Sequence, residues 1–189
     1  MRRLILASAS PRRLDLLGRL GVVPDAVRPS HIDETPINGE LPADYARRMA
    51  AAKAEAAATP GALVLGADTV VATGRRILPK AETEAEARWC LSLLSGRRHR
   101  VLSAVTLIDA DGKARHRLST SIVAFKRLGD EETDAYIASG EWRGKAGGYA
   151  IQGRAEALVR MLQGSHSGVM GLPLYETRAL LRAAGWPLG

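Results

Sequence analysis

The sequence is poor in cysteine, histidine and aromatic residues. Cys90 is its single cysteine, which excludes an internal disulfide, and the apolar helix-like run around Cys90 predicts a packed small hydrophobe rather than a nucleophile. The four histidines lack the spacing of metal ligands, so they are predicted to be structural or solvated. Phenylalanine occurs once and aromatic residues make up 4% of the chain, so stacking platforms for single-stranded nucleic acid are not expected.

Long apolar runs are also missing. Nothing approaches the roughly 20 apolar residues that a membrane span requires. The start, Met1-Arg2-Arg3 followed by apolar residues, imitates a secretory signal, but its apolar stretch ends at Ala7, before serines, a proline and two more arginines. The sequence therefore predicts a cytoplasmic protein that has no membrane association.

The chain does have an ordinary globular composition and an excess of positive charge. With 46% hydrophobic and 25% charged residues, its 189 residues suit one domain, residues 1–189, or two tightly joined lobes. The net charge of +7 favours an anionic partner. Charge alone does not separate a nucleotide from nucleic acid or from a compositional bias.

Apolar periodicity and turn residues predict an α/β fold in which helices pack on a mixed sheet. Residues 62–72 are almost continuously apolar, as is typical of a strand buried on both faces, and residues 101–108 and 116–125 flank a turn that predicts an antiparallel hairpin. Further strands are predicted at residues 4–7, 76–78 and 157–162, and helices at 11–20, 42–58, 83–96, 130–139 and 173–184. The buried faces of the first three helices are predicted to include Leu14, Leu17 and Leu20, then Tyr45, Met49, Ala52 and Ala56, then Trp89, Leu93 and Leu94.

Two segments are predicted to lack regular structure. Residues 22–38 read as a loop. Residues 144–153 contain too many glycines for a regular element, and they suit close approach of the backbone to a ligand.

The first predicted helix begins in a way that favours an anion. Ser10 suits the N-cap position and Pro11 the first helical position, so free backbone N–H groups and the positive end of the helix dipole face outward. Arg12 and Arg13 in the first turn are disfavoured by that dipole unless an anion neutralises them. The alternative is a basic helix start that is merely solvated.

Asp68 is the strongest catalytic candidate. A carboxylate within an apolar strand costs several kcal/mol unless a cation or hydrogen-bond donors compensate it. The alternative is a structural aspartate that such groups satisfy. Thr69 would point to the opposite face of a regular strand, although at a strand end both residues could border one cleft.

Other polar residues are assigned a functional role only if they lie close to one another in the folded chain. The pair Asp33-Glu34 lies in a predicted loop, where acids are usually solvated. Lys53 on an alanine-rich helix and Lys80 in a loop would ordinarily be surface residues. Together with Arg12 and Arg13, they would form the set of cations that a polyphosphate requires.

Ordered blocks spread along nearly the whole chain carry a resemblance to a known family. The blocks are Ser8-Ala9-Ser10-Pro11-Arg12-Arg13 with Leu16-Leu17, Asp33-Glu34, Lys53, Gly66-Ala67-Asp68-Thr69-Val70-Val71, Leu94-Ser95-Gly96-Arg97, Lys145-Ala146-Gly147-Gly148-Tyr149-Ala150-Ile151-Gln152-Gly153 and Gly171-Leu172-Pro173-Leu174. Together they resemble the Maf family of nucleoside triphosphate pyrophosphatases.

The resemblance implies a fold, an activity and a substrate. It implies a two-lobed mixed α/β fold related to inosine triphosphate pyrophosphatases, with a cleft between the lobes. The implied activity is house-cleaning hydrolysis of a nucleoside triphosphate between its α- and β-phosphates, dependent on Mg²⁺ or Mn²⁺. The Tyr-Ala-Ile-Gln-Gly form resembles the branch that acts on dTTP and UTP, whereas the 7-methyl-GTP branch usually carries a Ser-Glu-Gly type of sequence there.

The resemblance also implies roles for individual residues. Asp68 corresponds to the proton acceptor, and Arg12, Thr69 and Gln152 to positions that determine the substrate. Glu34 and Asp68 would hold the metal. The implied substrate-binding set is Ser8, Arg12, Arg13, Lys53, Thr69, Lys80, Lys145 and Gln152.

A reading from another class is a non-catalytic nucleic-acid-binding or cell-division (septum) regulatory protein. The basic charge and the family's historical link with septum formation favour it. The dispersed basic residues and the scarcity of aromatic residues count against it. A homodimer is left open by the sequence.

Overall fold

Two β-sheets and flanking helices make up the part of the chain that the computed structural model describes, residues 3–188. Met1 and Arg2 of the signal-like start lie outside that part, as does Gly189. Within residues 3–188, no helix is both long enough and apolar enough to cross a membrane. The strands are β1 (Arg3–Ala7), β2 (Ala26–Val27), β3 (Ala62–Thr73), β4 (Arg76–Leu78), β5 (Lys80–Ala81), β6 (Arg98–Ile108), β7 (Ala114–Phe125), β8 (Lys145–Ala146) and β9 (Val159–Gln163). The helices are α1 (Pro11–Gly18), α2 (Pro42–Ala56), α3 (Glu84–Leu94), α4 (Asp130–Ser139), α5 (His166–Met170) and α6 (Leu174–Ala183), with a 3₁₀ helix at Arg154–Leu158.

The central sheet is mixed, which confirms the predicted fold class. Its strand order is β2-β1-β3-β6-β7-β9, and β4 is a further partner of β3. Strand β1 runs parallel to β2 and β3, whereas β3, β6, β7 and β9 are antiparallel in turn. The predicted hairpin is the β6–β7 pair.

Strand β3 is flanked unevenly along its length. On one side β6 pairs with it continuously, from Val64 to Ala72. On the other side β1 pairs with residues 62–66 and β4 with residues 71–73, so residues 67–70 have no strand partner on that side among the described residues. Asp68 and Thr69 therefore lie at an opening in the middle of a strand and not at a strand end.

The two faces of the central sheet are covered by different helices. Helix α2 covers one face, where Tyr45 and Met49 pack with Val70 and Leu102. On the other face, a larger apolar cluster joins residues of α1, α3 and α6 to β1, β3 and β6. Buried Cys90 is part of this cluster, in agreement with its predicted packing role.

The second sheet consists of β5 and β8, which pair antiparallel, and α3 packs against β5. A cleft lies between this small sheet and the open part of β3, bordered by Lys80, Lys145 and Ala146 on one side and by Asp68 and Thr69 on the other. The chain thus has the arrangement that the resemblance implied.

Several local predictions were wrong. Leu14, Ala56 and Trp89 are exposed, because the buried stripes of their helices lie at neighbouring positions, namely Leu16 and Leu17, Ala54 and Ala57, and Cys90 and Leu91. Helix α1 ends at Gly18, and residues 154–158 form a 3₁₀ helix before β9. The predicted irregular segments contain the short strands β2 and β8, and helix α5 was not predicted.

Gly66 lets α2 lie directly on β3. A Cβ atom at this position would collide with the carbonyl oxygen of Ala50 and would lie 2.7 Å from the backbone nitrogen of Ala54. Both atoms belong to the helix backbone, which cannot move aside as a side chain can. The close approach places Lys53, on the same helix, above Asp68 on the same strand.

We expect Gly66→Ala to destabilise the fold by about 1–3 kcal/mol, because the extra methyl group pushes α2 off the sheet. Urea unfolding followed by circular dichroism measures this loss. Gly18→Ala is the matched control, since a Cβ there meets nothing within 4 Å and alanine favours the helix. Equal stability of Gly66→Ala and the parent protein would contradict the close-packing argument.

Candidate active site

The link between β1 and α1 forms one end of the cleft and supplies hydroxyl and guanidinium donors. Ser10 occupies the N-cap position and Pro11 begins α1, as predicted, but the Ser10 side chain does not bond to the helix amides. The Ser8 oxygen accepts hydrogen bonds from Ser10 N (3.2 Å) and Arg13 Nη1 (3.0 Å). With its lone pairs so used, the Ser8 hydroxyl has its own hydrogen left to donate into the cleft.

Both arginines are fixed by backbone carbonyls at the end of α5. Arg12 Nε donates to Met170 O (3.3 Å) and Arg13 Nε donates to Gly171 O (2.8 Å). The Nη atoms of Arg12 make no hydrogen bond within residues 3–188, so they are available to a ligand. Burial lowers the pKa of both side chains from the ordinary arginine value, because the charged form of each guanidinium loses hydration in the wall of the cleft.

Three charged side chains from separate parts of the chain meet at the centre of the cleft. Lys53 Nζ lies 2.6 Å from Asp68 Oδ1 and 2.8 Å from Glu34 Oε1. Lys53 is 6% exposed and Asp68 4% exposed, so each ion supplies much of the compensation that the other needs for burial. Asp68 Oδ2 accepts no hydrogen bond from residues 3–188, and it therefore has a lone pair free for a ligand or a water molecule.

Glu34 is held by a second lysine and by its own backbone. Lys80 Nζ lies 2.5 Å from Glu34 Oε2, and Tyr45 Oη donates to Glu34 O (2.7 Å), which ties the loop to α2. Burial raises the pKa of Glu34, but the hydrogen bonds and charges of Lys53 and Lys80 outweigh burial and lower the pKa to about 2. Glu34 is therefore a carboxylate at any pH near neutrality.

The glycine-rich segment forms the opposite wall. Gly147 and Gly148 adopt positive φ angles of 67° and 68° and pack against Val71 and the backbone of α3. Buried Tyr149 follows them, and its hydroxyl lies 2.8 Å from His99 Nε2. Gln152 lines the cleft and is exposed, and its amide makes no hydrogen bond within residues 3–188. Both the donor and the acceptor of this amide are thus free for a ligand.

Lys145 adds a cation to the same wall. It borders the cleft, and its Nζ donates to Arg143 O at 2.8 Å. Burial and, after it, the charge of Arg12 lower the pKa of Lys145 from the usual lysine value. An anion between Lys145 and Arg12 would relieve that repulsion.

Thr69 faces away from α2, toward the turn after α5. Its hydroxyl lies 3.0 Å from Ser103 Oγ and 3.3 Å from Gly171 O. Asp68 and Thr69 thus point to opposite faces of β3, yet both border the cleft, because the cleft wraps around the open edge of the strand.

The structure brings the predicted site residues together in one cleft. Lys53 and Lys80 converge with Arg12 and Arg13, which was the condition for giving them a role. Asp33 lies outside: it is exposed and its Oδ1 accepts a hydrogen bond from Thr35 N (2.8 Å). The residues brought into the cleft are Ser8, Arg12, Arg13, Glu34, Lys53, Asp68, Thr69, Lys80, Lys145 and Gln152.

Sequence reasoning missed two parts of the site. The turn at the end of α5 supplies carbonyls to both arginines and to Thr69, and although Gly171 belongs to one of the blocks that carry the resemblance, no role in the site was predicted for it. Ser103 is a buried hydroxyl within a predicted apolar strand, the same signal that singled out Asp68, so it could have been found.

The oxygen donors of the cleft fit a divalent cation only in part. Glu34 and Asp68 both contact Lys53 Nζ, so the two carboxylates lie on the same side of the cleft, next to one another. Within residues 3–188, no group of three or more His, Cys, Asp or Glu side chains is placed to hold a metal. Mg²⁺ commonly binds through one or two carboxylates and substrate phosphates, and these two residues fit that mode.

Comparison with known proteins agrees with this geometry. Residues 3–184 match the sequence family described as Maf-like protein. A dTTP/UTP pyrophosphatase of Novosphingobium aromaticivorans is 67% identical over 184 residues, which cover 96% of this chain and 92% of the relative. A dTTP/UTP pyrophosphatase of Zymomonas mobilis is 62% identical over 187 residues, with 98% and 93% covered.

A solved structure supports the fold at much lower identity. The HAM1 protein of Coxiella burnetii superimposes with a TM-score of 0.55 at 18% identity, covering 97% of this chain and all of that one. At this identity the likeness concerns the fold alone. The family match over residues 3–184 and the high identity to the two relatives show that the chain belongs to the Maf family.

Proposed function

We propose that this chain hydrolyses dTTP and UTP between the α- and β-phosphates and releases the nucleoside monophosphate and pyrophosphate. The observation that carries the proposal is the buried contact of Lys53 with Asp68 and Glu34 inside a cleft rimmed by cations. The activity of the two named relatives supports the same reaction. We propose further that residues 1–189 act as a single Maf-like domain in the cytoplasm, and a homodimer stays a prediction.

The cations of the cleft suit a triphosphate. Arg12, Lys80 and Lys145 approach the cleft from different elements, and Ser8 adds a neutral donor at the end of β1. Fixed positive groups stabilise charge that grows on the leaving pyrophosphate, and such stabilisation is the larger part of what a protein contributes to phosphoryl transfer. Because backbone carbonyls already orient the arginines, little reorganisation is needed when the substrate arrives.

Asp68 is proposed to activate the attacking water. Its Oδ1 is held by Lys53, while its Oδ2 is open to accept a proton from a water molecule beside the α-phosphate. Lys53 fixes the carboxylate in one orientation. Gly66, two residues earlier, lets α2 bring Lys53 into this position.

A divalent metal, Mg²⁺ or Mn²⁺, would be held by Glu34 and Asp68 together with phosphate oxygens. Such an ion supplies Lewis-acid polarisation of the phosphoryl group and neutralises part of its charge. Lys53 and Lys80 keep Glu34 ionised and fixed in the absence of the ion.

Asp68→Asn is expected to lower kcat by at least about 100-fold, since it keeps the shape of the side chain and removes the base. The measurement is pyrophosphate release from dTTP at saturating substrate, on protein whose folding has been checked by circular dichroism. Asp33→Asn is the matched control, because Asp33 is a nearby acid outside the cleft, and its kcat should stay within about twofold of the parent. A folded Asp68→Asn protein with parental turnover would remove Asp68 from catalysis.

Arg12→Ala and Lys53→Ala are each expected to lower kcat/KM for dTTP by at least tenfold, corresponding to about 1.4 kcal/mol of transition-state stabilisation. Arg47→Ala serves as the control on the same helix as Lys53, because Arg47 is exposed and, among residues 3–188, pairs only with Asp44. Its effect should stay within about 0.5 kcal/mol. If the three variants behave alike, Arg12 and Lys53 do not stabilise the transition state and the anion-site proposal fails.

Gln152 is expected to make dTTP and UTP better substrates than ATP, GTP or CTP. Thymine and uracil present an N3–H donor between two carbonyl acceptors, and a free amide can engage a neighbouring donor and acceptor together. Gln152→Glu removes the amide donor, so it should reduce kcat/KM for dTTP and UTP more than for the purine nucleotides. The measurement is kcat/KM for the panel dTTP, UTP, CTP, ATP, GTP and 7-methyl-GTP, with and without Mg²⁺.

Two results would count against the proposal, one from that panel and one that adds a measurement of DNA binding. Equal losses on every nucleotide would mean that Gln152 supports the segment and does not read the base. No pyrophosphate release from any nucleotide, together with salt-dependent binding of duplex DNA, would favour the non-catalytic nucleic-acid-binding alternative.

A further inference from the structure

The buried hydroxyl of Ser103 fixes the direction of a hydrogen bond at the cleft wall. Ser103 is 1% exposed and pairs across β3 and β6 with Thr69. Its Oγ lies 2.5 Å from the carbonyl oxygen of Gly168. A carbonyl has no hydrogen to give, so Ser103 must donate its own hydrogen to Gly168.

The direction of the Ser103 hydrogen bond determines which hydroxyl donates in the contact between Ser103 and Thr69. The two hydroxyl oxygens lie 3.0 Å apart, and since the Ser103 hydrogen is already committed, Thr69 is the donor in this contact. The only other acceptor that the structure provides for Thr69 within residues 3–188 is the carbonyl of Gly171, at 3.3 Å. In both cases the Thr69 hydrogen points into the wall, and only lone pairs of its oxygen face the cleft.

Ser8 shows the opposite polarity in the same cleft. Its oxygen accepts hydrogen bonds from Ser10 N and Arg13 Nη1, so its hydrogen is free to donate to a ligand. A donor suits an anionic phosphate oxygen, whereas an acceptor suits an N–H group. The two hydroxyls are thus set by their surroundings for different parts of a ligand.

We propose that Ser103 is a positioning residue that makes Thr69 an obligate hydrogen-bond acceptor, so that the cleft selects a base carrying an imide N–H and rejects cytosine. This inference rests on the proposed function, since it concerns how the same site recognises its nucleotide. Uracil and thymine carry a hydrogen on N3. Cytosine carries a lone pair there, which would face the lone pairs of Thr69 without a hydrogen between them.

The experiment compares UTP with CTP in three variants. Ser103→Ala removes the better acceptor for the Thr69 hydrogen and leaves Gly171 O, whose 3.3 Å separation is long for an O–H···O bond. The Thr69 hydroxyl can then turn toward the cleft and donate to N3 of cytosine. We expect the ratio of kcat/KM for UTP to that for CTP to fall by about fivefold or more.

Thr69→Val and Ser121→Ala complete the set. Thr69→Val removes the acceptor while keeping the side-chain shape, so it should lower kcat/KM for UTP and leave that for CTP nearly unchanged. Ser121→Ala is the matched control: Ser121 is also 1% exposed and its Oγ lies 3.3 Å from a carbonyl next to α5, that of Ser165, but it does not touch Thr69. Its UTP-to-CTP ratio should stay within about twofold of the parent.

A binding measurement tests the selection of the base independently of the proposed hydrolysis. Non-hydrolysable α,β-methylene analogues of UTP and CTP are titrated calorimetrically into the parent protein and each variant. A parent protein that releases no pyrophosphate but binds the UTP analogue preferentially would contradict the proposed function and support the polarity of Thr69. An unchanged UTP preference in Ser103→Ala, an equal loss in Ser103→Ala and Ser121→Ala, or a parent protein that does not prefer the UTP analogue would each overturn the proposal.

Discussion

The site depends on the ammonium group that Lys53 inserts between Asp68 and Glu34. The proposed hydrolysis needs carboxylates near a substrate that is itself strongly anionic, and the two repel each other. Lys53 and Lys80 alternate with the carboxylates, so the cluster carries no net charge before the nucleotide arrives. Because Lys53 and Asp68 are almost fully buried, removing either one leaves an unpaired buried charge, which is far more costly than losing a surface ion pair.

The fold creates room for this cluster by interrupting the pairing of one strand. Strand β3 is supported along its whole site region by β6, while its other edge is open between β1 and β4. The open edge lets side chains from both faces of the sheet border the same cleft. Asp68 meets α2 on one face, and Thr69 meets the turn after α5 on the other. If another strand paired with this edge of β3, the sheet would separate Asp68 from Thr69 and the two side chains could not border one cleft.

Residues whose environment is local were predictable from the sequence. Asp68 lies within an apolar run, and the serines, proline and arginines after β1 are typical of a helix start. Asp68 and the start of α1 could therefore be identified from their neighbours along the chain. Lys53 was harder, although it follows Tyr45 and Met49 at four-residue spacing and so belongs to the buried face of α2. The predicted stripe through Ala52 and Ala56 missed this, because alanine fits either face.

Contacts between distant segments could not be read from the sequence. Glu34 lies in a loop with no periodicity, and its partners lie on α2 and β5. The carbonyls after α5 are backbone groups, which every residue has, so no residue type marks them. The exposure of Leu14 and Trp89 has the same cause, because the element on which a short helix packs determines which of its faces is buried.

The parallel pairing of β1 with β3 has a consequence for how the protein folds. It aligns Ala7 with Gly66, about 60 residues later in the chain, so the segment Ser8 to Arg13 leaves the sheet beside the part of β3 that carries Asp68. Parallel strands so far apart pair only after a large loss of chain entropy, which makes such contacts slow to form. The cleft does not exist until they have formed, and a partly folded chain that still lacks this pairing has no assembled site to expose to nucleotides.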